Sequence, residues 1–295
     1  MVSEPTDWIR LDSDRLHAAI NPAGAQLSVL RDERGRDLLW DGDPAFWTGR
    51  APILFPIVGA LNGNAFTWRG RSYQMAKHGF ARRRRFDVIS SGPSSARFRL
   101  TADDETRAEY PFESELDVEF TATAHQLTVK ASARNLGADA MPASLGFHPA
   151  FRWPLPDSSS RETHVLDFDH DEPADIRRLN SAGLLAPEPR PTPVRGSRLV
   201  LDDALFAPDV IIFQHVTSRR VRYHGEHGPA LRVSFPDATW LGVWTRPGAG
   251  FVCIEPWRGV ADPEGFAGEF ASKLGVEQVE PGGELTLTMT IEVEA

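Results

Sequence analysis

Short runs of alternating polar and apolar residues, cut apart by 24 glycines and 23 prolines, constrain this chain more than any other feature. Residues 86–89, 96–100, 114–120 and 126–131 alternate at period two, as do 230–235 and 285–291, and the short apolar runs 241–244 and 251–254 continue the strand theme in the C-terminal half. Period-two alternation puts one face of a strand on a core and the other in water. Residues 16–20 and 25–30 flank Asn21-Pro22-Ala23-Gly24 and read as strand, turn, strand. No stretch sustains an i, i+3, i+4, i+7 apolar stripe, and residues 263–274 hold the one short helix expected, around Glu269-Phe270-Ala271.

Many short strands with frequent turns imply stacked antiparallel sheets. The fold expected is all-β, a large antiparallel β-sandwich with few short helices. Residues 154–198, rich in Pro, Ser, Asp, Glu and Arg, interrupt the pattern. Because the strand pattern is alike on both sides, they read as a surface excursion within one domain over residues 1–295.

The 295 residues can bury a sizeable core, and a 41% hydrophobic content rules out wholesale disorder. A net charge of −9 has the wrong sign for a general nucleic-acid binder, which must neutralise backbone phosphates. Cys253 is the only cysteine, so neither an intrachain disulfide nor a thiolate-rich zinc site is available. With no apolar leader and no run long enough to span a membrane, the expectation is a cytoplasmic protein without a membrane partner.

Several chemical devices are missing: the phosphate-binding G-x-x-x-x-G-K-[ST], the dinucleotide G-x-G-x-x-G, H-E-x-x-H and G-x-S-x-G. His224-Gly225-Glu226-His227 reads as a turn, and the acidic residues 167–172 as solvated surface. If Arg82-Arg83-Arg84-Arg85 lay in a strand, its side chains would alternate between faces, so the four could not line one pocket.

Three segments set an ionisable residue among aromatic or apolar neighbours: Lys77-His78-Gly79-Phe80-Ala81-Arg82, residues 144–151 around His148, and residues 251–257 around Glu255. A carboxylate inside an apolar strand must be hydrogen-bonded or used, because burying an unpaired charge is very costly. Cys253 alternates onto the same side as Glu255 and reads as core filling.

With these motifs in order, the sequence resembles the aldose 1-epimerase (galactose mutarotase) family, specifically a cytoplasmic branch related to glucose-6-phosphate 1-epimerases. The resemblance rests on residues 50–59, His78-Gly79-Phe80-Ala81-Arg82, Gly146-Phe147-His148-Pro149, Asp203-Ala204-Leu205-Phe206 and Ile254-Glu255-Pro256-Trp257. It implies a sandwich with a sugar cleft, Glu255 as general base and His148 as general acid. It further implies His78, Arg82, Arg50 and Asp203 as sugar-binding or orienting groups, and no metal or other cofactor. The implied activity interconverts the α and β anomers of a hexose or hexose phosphate in a monomer or homodimer. A non-catalytic sugar-binding protein with the same cleft is the alternative; a glycoside hydrolase would need a second carboxylate, for which Asp203 is the candidate.

Overall fold

A computed structural model describes residues 5–158 and 160–294. Among these residues the largest sheet has nine antiparallel strands. Its order is Arg198–Val200, Val165–Phe168, Arg220–His224, Ala230–Ser234, Glu284–Glu294, Gln126–Asn135, Ser114–Thr123, Ser95–Thr101 and Asp87–Ser91. A second antiparallel sheet orders Ile211–Phe213, Trp240–Trp244, Phe251–Arg258, Leu145–Phe147 and Ile53–Leu54, with Ala150–Arg152 also paired to Phe251–Arg258. The architecture is the expected β-sandwich. Smaller sheets join Ile9–Asp12, Leu16–Asn21 and Gln26–Asp32, pair Ala65–Trp68 with Arg71–Gln74, and pair Met141–Ala143 with Glu277–Val279.

Alternation decides what each strand buries. Along Glu284–Glu294 the residues Leu285, Leu287, Met289, Ile291 and Val293 point into the main core, while the threonines and glutamates between them stay partly in water. Phe251–Arg258 instead is buried on both faces. Val252 and Ile254 join the main core, whereas Phe251, Cys253 and Trp257 belong to two smaller apolar clusters on the other side. Glu255 takes the side of Cys253 and Trp257, so the strand carries a carboxylate away from the core between two patches of hydrocarbon.

Several local expectations differ from the structure. Residues 263–274 contain only the 3₁₀ turn Phe270–Ser272, while an α-helix forms at Asp104–Glu109. Asp103 starts that helix by accepting from Thr106 N–H as the Thr106 hydroxyl accepts from Asp103 N–H, a reciprocal cap that offsets its short length. The arginine run is not a strand, because Ala81–Arg83 is a 3₁₀ turn. Arg83, Arg84 and Arg85 pair with Glu109, Glu105 and Asp7. The segment 154–198 is more than a surface excursion: it supplies the strand Val165–Phe168, and its Leu185 is fully buried. No helix among the described residues is long and apolar enough to cross a membrane.

Candidate active site

His148 follows the strand Leu145–Phe147, which lies between Ile53–Leu54 and Phe251–Arg258. Its N–H donates to Pro52 O at 3.2 Å, and Ala150 N–H donates to Arg50 O at 2.8 Å, so residues 50–52 hold the loop by backbone contacts. Trp47 lies across the imidazole, ring centres 4.8 Å apart and planes 31° from parallel, and Trp244 meets it edge-on at 5.7 Å. Packing therefore sets the ring plane. The Nε2 atom stands 3.2 Å from Glu255 Oε2 without the alignment of a hydrogen bond, and among the described residues both Glu255 Oε2 and His148 Nδ1 lack a hydrogen-bond partner.

His78 comes from a turn closed by Gly79 N–H donating to Ala76 O at 2.9 Å. It adopts φ +67°, a left-handed conformation that histidine tolerates better than most side chains, and Gly79 follows at +71°. A Cβ on Gly79 would fall 2.1 Å from Phe55 O, so glycine alone fits there. His78 N–H donates to Gly59 O at 2.8 Å, and Gly59 N–H donates to His78 Nδ1 at 3.1 Å. Accepting at Nδ1 leaves the proton of the neutral ring on Nε2. The ring meets His148 edge-on at 5.7 Å.

These groups line a cavity of about 610 Å³ together with Lys77, Arg82, Asp209, Arg246, Trp47, Trp244 and Trp257. The volume lies within the range usual for small-molecule sites. Glu255, His148, His78 and Arg82 are thus brought together. Arg50 and Asp203 are not among the lining residues. The Arg50 guanidinium donates to Ser28 O at 2.5 Å and lies over Trp8. The Asp203 carboxylate accepts from Arg161 at 2.6 Å and from Gly248 N–H at 3.3 Å, beside the lining residues Arg246 and Pro247. Lys77, Asp209 and Arg246 were not singled out for this cavity from the sequence. Lys77 sits next to His78 in the segment 77–82; Asp209 shows the same signal of a charge in apolar company, between Pro208 and Val210, while Arg246 lies in a Pro-Gly turn without one.

Burial dominates the electrostatics. Glu255, 1% exposed, has its carboxyl pushed well above the usual carboxylate range by desolvation; Asp209 adds to the rise and Lys77 opposes it. Desolvation brings the His148 imidazole down to about 3, with the Lys77 and Arg82 charges pushing the same way and its own backbone opposing. The same burial, reinforced by His148, Lys77 and Arg82, keeps His78 well below an ordinary histidine. Cys253 is buried beside the pair, and burial followed by the Glu255 charge raises its thiol, which makes it a poor nucleophile. His148, Cys253 and Glu255 each offer a ligand atom within 4.8 Å of the others, but the cationic Lys77 and Arg82 act on the same place and disfavour a metal ion.

The chain as a whole has known relatives. Protein LacX (plasmid) of Lactococcus lactis subsp. lactis is 31% identical over 263 residues, covering 86% of this chain and 88% of that protein. The crystal structure of a galactose mutarotase related enzyme from Lactobacillus acidophilus superposes with a TM-score of 0.90 at 27% identity, covering 98% of this chain and 97% of the other. A galactose mutarotase-like protein from Lactobacillus casei gives 0.91 at 27% identity, over 97% and 100% of the two chains. The class is that of mutarotase-type isomerases built on a β-sandwich. The model of the aldose 1-epimerase family matches residues 7–273, and the chain belongs to that family.

Proposed function

We propose that the chain interconverts the α and β anomers of a hexose or hexose phosphate, with Glu255 and His148 exchanging protons with one pyranose ring. The observation that carries this reading is the 3.2 Å approach of Glu255 Oε2 and His148 Nε2 inside a cavity able to take a sugar. Ring opening moves two protons. The anomeric hydroxyl gives its proton to the Glu255 carboxylate, the C1–O5 bond breaks as C1=O forms, and O5 takes a proton from the His148 imidazolium. Rotation about C1–C2 and the reverse transfers close the ring on the other face.

Before opening, the pair is Glu⁻ and HisH⁺; afterwards it is GluH and neutral His. Desolvation penalises the first state and favours the second, which is why it raises the carboxyl and lowers the imidazole. The burial that makes an ion pair costly here makes Glu255 a stronger base and His148 a stronger acid during ring opening. Each transfer is typically worth about 10²–10⁴-fold. His78 supplies an Nε2–H donor to a sugar oxygen, and Arg82 binds or orients beside it.

Three observations favour a phosphorylated sugar over a neutral one. Lys77, Arg82 and Arg246 line the cavity of a chain with net charge −9. Among the described residues none of the three forms an ion pair with a carboxylate; Arg82 donates to Lys77 O at 3.0 Å and Arg246 to Phe46 O at 2.8 Å, leaving further N–H groups for a phosphate.

The test is Glu255→Gln, assayed by saturation-transfer magnetic resonance on glucose and glucose 6-phosphate. The expected result is a loss of at least about 100-fold in anomer exchange with sugar binding largely kept. Full activity in the variant excludes Glu255 as the base, and binding without exchange in the unmutated protein leaves the non-catalytic sugar-binding reading. Equal rates on the two sugars would remove the case for phosphate.

A further inference from the structure

One buried ion pair lies behind the cavity wall and takes no part in the proton transfers. Gly59 and Ala261 both line the cavity, and they meet so closely that a Cβ on Gly59 would fall 2.5 Å from the Ala261 Cβ. Gly59 in turn fixes His78 through the two hydrogen bonds described above. The place of the His78 ring therefore depends on what holds Ala261.

Both neighbours of Ala261 are held. The Lys273 ammonium donates to Val260 O, and also to Leu274 O at 3.2 Å. Asp262 N–H donates to Ala60 O at 2.9 Å, and Asp262 Oδ2 accepts from Asn62 N–H at 2.8 Å and Asn62 Nδ2 at 3.2 Å. Lys273 and Asp262 are each 3% exposed, and Lys273 Nζ stands 3.9 Å from Asp262 Oδ1, an oxygen with no hydrogen bond among the described residues. Residues 260–262 are in this way strapped against residues 59–62 by a buried cation and a buried anion.

An arrangement of this kind is a poor device for stability alone. Hydrophobic replacement of a buried ion pair is often neutral or stabilising, because desolvating two charges costs several kcal/mol. It does supply direction, since a buried ammonium has to point its hydrogens at acceptors.

We propose that Lys273, backed by Asp262, is a positioning residue for the epimerase site: it holds Ala261 against Gly59 and so keeps His78 as a neutral Nε2–H donor facing the sugar. The inference rests on the sugar-isomerase reading for its kinetic consequence, but the His78 tautomer is measurable without any reaction.

Lys273→Met and Asp262→Asn are the variants. Melting temperature, kcat and KM for anomer exchange, and the ¹⁵N signals of His78 are recorded for each. In the unmutated protein His78 should show an unprotonated Nδ1 and a protonated Nε2. In a variant that folds, that pattern should give way to mixed tautomers, and kcat/KM should fall about 10- to 100-fold, chiefly through KM, as expected for a misplaced binding group. A folded variant with unmoved His78 signals and unmoved kinetics overturns the proposal whatever its melting temperature. Failure of both variants to fold also overturns it, by assigning the pair to folding rather than to the site. Absence of anomer exchange in the unmutated protein sinks the sugar-isomerase reading and leaves the His78 spectrum to decide the positioning claim.

Discussion

Lys77 brings an ammonium to the rim of the cavity with no carboxylate partner among the described residues, and its charge reaches Glu255, His148 and His78 alike. A nearby cation favours the ionised carboxylate and disfavours the ionised imidazole, so it lowers both. The proposed working pair holds one proton in all. Activity then falls on the acid side when a second proton binds, a step brought down towards about 3 at His148, and on the alkaline side when the last proton leaves, a step raised above the usual carboxylate value. Lys77→Met removes a charge that lowers both steps, so both limbs of the kcat/KM–pH profile should move to higher pH, by up to about one unit given the exposure of the side chain. A profile that stays in place, or moves to lower pH, would show that Lys77 does not act on the pair through its charge.

Strands differ in how openly they declare themselves. Glu284–Glu294 was legible because its outer face is wet, so every second residue is polar. Phe251–Arg258 was legible only to Ile254: with both faces buried it reads as a plain apolar run without alternation, and Glu255 and Pro256 break that run although the strand continues. Glu255 and His148 still stood out, because an ionisable group in apolar company is anomalous at any fold. Asp209, half-buried between Pro208 and Val210, keeps similar apolar company, but it stands at a turn outside any strand pattern, and its approach to the cavity is decided by tertiary packing. Arg50 and Asp203 belong to motifs that resemble the family's, yet their side chains are drawn off by Ser28 and Trp8, and by Arg161. The His78-Gly79 turn leaves no room for a side chain at Gly79. Gly79→Ala adds a Cβ at φ +71° against Phe55 O, which should cost at least about 2 kcal/mol and lower Tm by roughly 4 °C or more. Calorimetry reads this directly; an unchanged Tm would mean that the Phe55 carbonyl yields without penalty.

Across the whole molecule, charge is distributed against the net sign. The chain carries −9, yet the described cavity presents Lys77, Arg82 and Arg246 to a ligand against Asp209 and Glu255. A local positive potential in an acidic protein draws anions to one place, and salt weakens that attraction. Raising ionic strength to about 1 M, where the Debye length is about 3 Å, should cut kcat/KM severalfold for a hexose phosphate and leave a neutral hexose unaffected. Equal salt responses for the two sugars would remove the electrostatic basis of the preference. The strand Phe251–Arg258 carries the last consequence. Ile254 packs into the main core while its neighbour Glu255 faces the cavity, so sliding the strand by a single position would drive a carboxylate into the hydrocarbon interior and set an apolar side chain in its place. Such a chain would be neither stable nor active. The proposed catalytic base thereby polices the alignment of the strand that bears it, and a mispaired copy exposes itself to unfolding instead of persisting as an inert look-alike.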